Sequence, residues 1–203
     1  MNPHIAMPDQ KKTIISRHMD VSVSPSSPSA RDLHRLLSFI PLRPYLNIGL
    51  FPTESNDLAV ALGKTLWEGH LSIIVTTKRD LASYQETIDN VRLSNVSITQ
   101  KPKTVPKDHI SSMDGVIIDI DSAKKVPSKL EFKSLMLYLG TKGWFAIVIS
   151  NPDTQKRTGN TDRDPILSSL TKTAEAVGFN LKQKRNLESS FAILIFDIPA
   201  PHA

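Results

Sequence analysis

Short apolar runs alternate along this chain with stretches in which apolar residues return every three or four positions. The runs with strand character are YLNIGL, HLSIIVTT, NVSITQ, DGVIIDI and GWFAIVIS, followed near the end by FNLKQKR and SFAILIFDI. Between the first two, Leu58, Leu62 and Leu66 fall at spacings of four. Between the next two, Leu81, Tyr84, Ile88 and Val91 fall at three, four and three. Each pattern gathers one apolar stripe on a helix. Leu130, Leu135 and Leu139 suggest a further helix, and Ile166, Leu167, Leu170, Ala174 and Val177 form a stripe closed by Gly178 at the C-cap position. Ahead of the first strand, Ser29 and Asp32 resemble a capping box, Leu33, Leu36, Leu37 and Ile40 share a face, and Pro41 and Pro44 end the helix.

Strands separated by amphipathic helices predict a mostly parallel sheet covered on both faces. The last two strand runs leave no room for a helix between them, so they pair antiparallel. The predicted class is α/β: a Rossmann-like three-layer sandwich on a mostly parallel seven-stranded sheet with a terminal antiparallel strand. Residues 1–28 lack periodicity and end in SVSPSSP, which predicts a disordered tail ahead of one domain over residues 29–203.

Composition narrows the chemistry. Among 203 residues there is no cysteine, which excludes disulfides, thiolate metal sites and a cysteine nucleophile. No apolar run approaches the roughly 20 residues that span a bilayer, and no secretory signal is visible, so no membrane role and a cytoplasmic location are expected. A net charge of +5 is a small excess scattered among acidic residues, so nucleic acid is not expected to be the principal ligand. The six histidines show no metal-ligand spacing. His109, just before the fourth strand run, reads as a surface loop histidine.

Several phrases in this order resemble the class I S-adenosylmethionine-dependent methyltransferases over residues 30–198. LLSFIPLRPYLNIGL looks like their lead-in helix and first strand, VRLSNVSITQ like the approach to their third strand, and MDGVIID like their fourth. LMLYLGTKGWFAIVIS and AEAVGFNLKQKR resemble the fifth strand and the later helix with its following strand. The resemblance implies S-adenosylmethionine as cofactor and a small molecule as methyl acceptor. It implies cofactor-binding roles for Asn47, Gly49, Phe51, Thr76 and Asp80. At these positions the chain departs from the family pattern. Asn47 stands for the acid ending the first strand, Phe51 for a glycine of the following turn, and Thr76 for the ribose-binding carboxylate. Asp80 could reach back to the ribose, although an acid in a first helical turn more often serves the helix dipole. QKPK follows the third strand, where the family has an acid near the adenine. The expectation is that S-adenosylmethionine binds weakly or not at all. Two functions stay open, a divergent methyltransferase and a non-catalytic binding or partner subunit that meets a protein.

Two more clusters are candidates for substrate. Asp119 and Asp121 share one face of DGVIIDID near its carboxyl end, where α/β proteins hold ligands; carboxylates there also serve solubility. Lys156 and Arg157 lie in the polar stretch NPDTQKRTGNTDRD, whose alternative reading is a solvated loop.

Overall fold

The computed structural model describes residues 30–52, 56–101, 112–121, 127–150, 163–187 and 191–198. Helix α1 (Ala30–Phe39) leads into strand β1 (Asn47–Phe51), then α2 (Asp57–Thr65), β2 (His70–Val75), α3 (Lys78–Val91) and β3 (Val96–Gln100). Strand β4 (Met113–Asp121), α4 (Lys129–Met136), β5 (Leu139–Ser150), α5 (Arg163–Glu175), β6 (Asn180–Leu187) and β7 (Phe191–Asp197) complete the chain. One seven-stranded sheet runs in the order β3-β2-β1-β4-β5-β7-β6. Strands β1 to β5 are parallel where they pair, and β7 inserts antiparallel between β5 and β6. The predicted terminal hairpin is therefore β6–β7.

Alternation along the strands builds two cores. Ile48, Leu50, Leu71, Ile73, Ile117 and Val148 face α1, α2 and α3, where Leu36, Leu58, Leu62, Tyr84 and Ile88 are buried. Val116, Ile118, Phe145, Ile147, Leu194 and Phe196 face α4 and α5, where Phe132, Leu135, Leu167, Leu170 and Ala174 are buried. Phe145 centres an aromatic cluster on that second face, with ring centroids 5.5 Å from Phe132, 5.1 Å from Phe179 and 5.6 Å from Phe196.

Local chemistry closes the helices. The Asn95 side-chain amide donates to the Gly63 and Leu66 carbonyls at 2.9 and 2.7 Å, which satisfies the end of α2. Ser128 and Glu131 form a reciprocal capping box on α4. Gly178 takes a φ of +110° after α5, the left-handed conformation expected of a C-terminal glycine. One predicted boundary moves: Leu139 belongs to β5 and α4 stops at Met136. Leu139 pairs with Met113 as a strand residue, and that pairing overrides its helical spacing to Leu135. Ser29 and the tail over residues 1–28 lie outside the described residues.

Candidate functional site

The chain passes from β1 outward through β2 to β3 and then returns to place β4 on the other side of β1. This reversal puts the carboxyl ends of β1 and β4 at the topological switch point, where open α/β sheets hold ligands in a crevice. Phe51 ends β1 opposite Ile118, so Asp119 stands one residue beyond the end of β1, on the face of Ile117 toward α1, α2 and α3. Asp119 is only 7% exposed and is the one buried charged residue among those described. Asp121 is the last residue of β4, paired with Ser150.

Strand β1 differs from its sequence reading. Asn47 opens the strand, at the amino edge, and its backbone amide donates to Asp114 Oδ2 at 2.8 Å. The expectation that Asn47 ends the first strand is thus corrected. Pairing of Ile48, Gly49 and Leu50 with both neighbouring strands carries β1 on to Phe51. Gly49 lies in mid-strand, where a Cβ would come within 2.5 Å of Met113 Sδ. Packing explains that glycine without a ligand. Phe51 is a strand residue and not a turn residue, and its ring meets Tyr138 edge-on with centroids 5.7 Å apart. It folds onto the α4–α5 face and leaves the other side of the strand end to Asp119. Burial raises the Tyr138 phenol above its ordinary pKa of 10.0.

Thr76 is exposed just past the end of β2. Its carbonyl accepts from Gln100 Nε2 at 3.2 Å, and the Lys101 amide donates to the Val75 carbonyl at 2.6 Å, which ties the ends of β2 and β3 together. Thr77 caps α3: its hydroxyl accepts the Asp80 amide at 3.1 Å. Asp80 sits in the first turn of α3, after the exposed Lys78 and Arg79. The start of α2 is tied to α3 by Asn56 Nδ2, which donates to Thr87 Oγ1 at 2.6 Å.

Of the residues singled out in the sequence, Phe51, Thr76, Asp80, Asp119 and Asp121 gather along the carboxyl edge, whereas Asn47 and Gly49 do not. Lys156, Arg157 and His109 lie outside the described residues. Gln100 was not anticipated; its position beside Thr76 depends on the register of β2 and β3.

No protein-family model matches the chain, and no curated protein matches it. Solved structures do match. A S-adenosylmethionine-dependent methyltransferase from Aquifex aeolicus superposes with a TM-score of 0.67 at 12% identity, over 85% of this chain and 94% of that one. The fibrillarin pre-rRNA processing protein of Methanococcus jannaschii gives 0.58 at 13% identity, over 80% and 70%. The cyclase SpnF gives 0.62 at 12%, over 84% and 82%. Strand order, the antiparallel β7 and these superpositions agree: the chain has the fold of the class I S-adenosylmethionine-dependent methyltransferases.

Proposed function

We propose that this protein works without tightly held S-adenosylmethionine, as a binding or partner subunit built on the methyltransferase fold. The end of β2 carries the reading. There the Thr77 hydroxyl is engaged by the Asp80 amide and the Thr76 carbonyl by Gln100. The next two side chains are the cations Lys78 and Arg79. Phe51 ends β1 and is followed by Pro52, and Gln100 ends β3 and is followed by Lys101, so among the described residues none of these three strand ends carries a carboxylate. These residues do not fit the cofactor in the way the resemblance implies. A ribose pair without an ionised acceptor forfeits about 1.5–3 kcal/mol, or roughly ten- to a hundredfold in affinity. SpnF is a cyclase by name, which supports separating this fold from methyl transfer.

Asp119 favours a second reading, a divergent methyltransferase acting on a small molecule. Asp119 stands on β4 just past the end of β1, where open α/β sheets hold ligands, and a ligand-binding role fits that place. In that reading Asp80 and Asp119 would hold the cofactor, and Asp121, Lys156 and Arg157 would meet the substrate.

Isothermal titration with S-adenosylmethionine and S-adenosylhomocysteine separates the two. The expected result is a dissociation constant near millimolar or no heat at all. A constant of about 10 micromolar or tighter would overturn the first reading and leave the second. Thr76→Asp restores a carboxylate at the strand end. Binding gained in that variant would mark an eroded cofactor site.

A further inference from the structure

Three cations gather where β2 and β3 end. Val75 and Gln100 pair as the last residues of these strands, so Thr76 and Lys101 follow side by side, about 4.8 Å apart. The Lys101 amide bonded to the Val75 carbonyl at 2.6 Å, and Gln100 Nε2 bonded to the Thr76 carbonyl at 3.2 Å, fix that corner. Lys78 and Arg79 open α3 directly after it. Lys78, Arg79 and Lys101 are exposed, and none has an ion-pair partner among the described residues.

Helix stability does not call for this placement. The amino end of a helix carries partial positive charge, so cations in its first turn are opposed by the dipole. No acid stands three or four residues on to offset Lys78 and Arg79, because positions 81–85 read LASYQ. Strands β2 and β3 carry no acid either. The one acid of the first turn, Asp80, flanks the apolar stripe of Leu81, Tyr84 and Ile88 on the side opposite Lys78, where Thr87 receives Asn56 from α2. Asp80 is thus on the flank toward α2, and Lys78 on the flank toward β3 and Lys101. Asp57 at the start of α2 and Asp119 on β4 lie on the β1 side, and Glu86 and Asp89 follow about two and three turns along α3.

The end of β2 is where doubly wound folds meet a ribose: a carboxylate there takes the hydroxyls, whereas a cation accommodates a phosphate ester on the same sugar. We propose that the corner formed by Thr76, Lys78 and Lys101 binds a phosphate monoester carried on the ribose of a nucleotide, with Arg79 strengthening the field. A monoester carries nearly two negative charges near neutral pH, which suits these cations as an unesterified diol does not. The inference rests on the reading that this edge does not hold S-adenosylmethionine, whose ribose is unesterified.

Isothermal titration with adenosine 2′-phosphate, adenosine and inorganic phosphate tests it. The phosphorylated nucleoside should bind at least about tenfold tighter than either of the others, and its affinity should fall as salt rises. Lys78→Ala and Lys101→Ala should each lower that affinity about tenfold and leave the affinity for adenosine unchanged. Both variants should fold as the unsubstituted protein does, since the side chains are exposed, and Lys78→Ala should melt no lower. Lys64→Ala removes the same charge from the last turn of α2, at the opposite edge, and should have no effect. Equal binding of adenosine and its phosphate, an equal loss in Lys64→Ala, or tighter binding of a single-stranded oligoribonucleotide without a terminal phosphate would each overturn the proposal. S-adenosylmethionine in the same titration separates the failures. Its binding at about 10 micromolar or tighter would overturn the reading underneath, whereas silence toward it and toward the phosphorylated nucleoside would overturn this inference alone.

Discussion

At the amino edge of the sheet, Asn95 ties off the end of α2, Asp114 accepts the first amide of β1, and the His70 ring hydrogen-bonds the Ser97 hydroxyl at 2.8 Å. At the carboxyl edge, Thr77 and Gln100 also serve the scaffold, but Thr76, Lys78, Arg79 and Lys101 stand exposed with no ion pair or side-chain hydrogen bond among the described residues. The comparison separates two uses of the same residue types. Asn47 and Gly49 look like remnants of a nucleotide turn, yet they belong to the edge and interior where side chains hold strands together. The edge that this fold reserves for ligands has kept exposed polar groups and one buried carboxylate, Asp119.

If the hydrogen-bonded and close-packed positions of the amino edge are scaffold, substitutions there should cost more stability than those at the carboxyl edge. Gly69→Ala should have the largest effect, because a methyl group would meet the Leu46 carbonyl and the Tyr45 backbone, neither of which can turn aside. A loss of about 3 kcal/mol or more is expected in urea unfolding. A loss under about 1 kcal/mol would show that the connections leading into β1 and β2 do not pack closely at Gly69. Asn95→Ala leaves the Gly63 carbonyl without this donor and the Leu66 carbonyl with the Gly69 amide alone, and should cost about 2 kcal/mol by the same measurement. An unchanged midpoint would mean that water replaces the amide fully.

Across the sheet, Thr77→Ala removes only the cap of α3 and should cost about 1 kcal/mol, whereas Thr77→Asp, which keeps an acceptor, should recover most of it. Should the two variants melt alike, the cap contributes nothing. Thr76→Ala should move stability by less than about 0.5 kcal/mol. A larger loss would assign Thr76 to the scaffold and blur the distinction between the edges.

The smallest effect under ordinary conditions belongs to Tyr138. Its folded-state pKa is raised by burial, so its contribution is fully present below the unfolded pKa near 10.0 and is lost as pH rises through the higher folded value. Tyr138→Phe should be nearly silent below pH 10.0 and should unfold less readily than the unsubstituted protein above it. Identical alkaline profiles would mean that the phenol does not ionise at the expense of the fold.

Much of the architecture was legible because it follows from local periodicity. The apolar stripes at Leu58–Leu66 and Ile166–Val177, Gly178 after the last helix and the closeness of the final two strand runs each involve residues within a few turns of one another. Period 3.6 against period 2 then distinguishes helix from strand without knowledge of the partner. The site was less legible. The run YLNIGLF is compatible with a strand ending at several positions, and only its pairing with β2 and β4 carries it to Phe51 and places Asn47 at the far edge.

The sequence by itself determined the order of the elements, the antiparallel ending and hence the α/β class. It also determined that acids are missing where the resembled family carries them. Tertiary structure decided what the individual residues are for. Gly49 leaves room for the end of the Met113 side chain, and Gly115 is required by the Trp144 indole laid across it from β5. Phe51 is turned aside by Tyr138, and Thr76 is held by Gln100 from the neighbouring strand. Each of these contacts joins positions more than twenty residues apart. Such contacts exist only once the sheet has assembled in its register, so no local pattern in the chain can announce them.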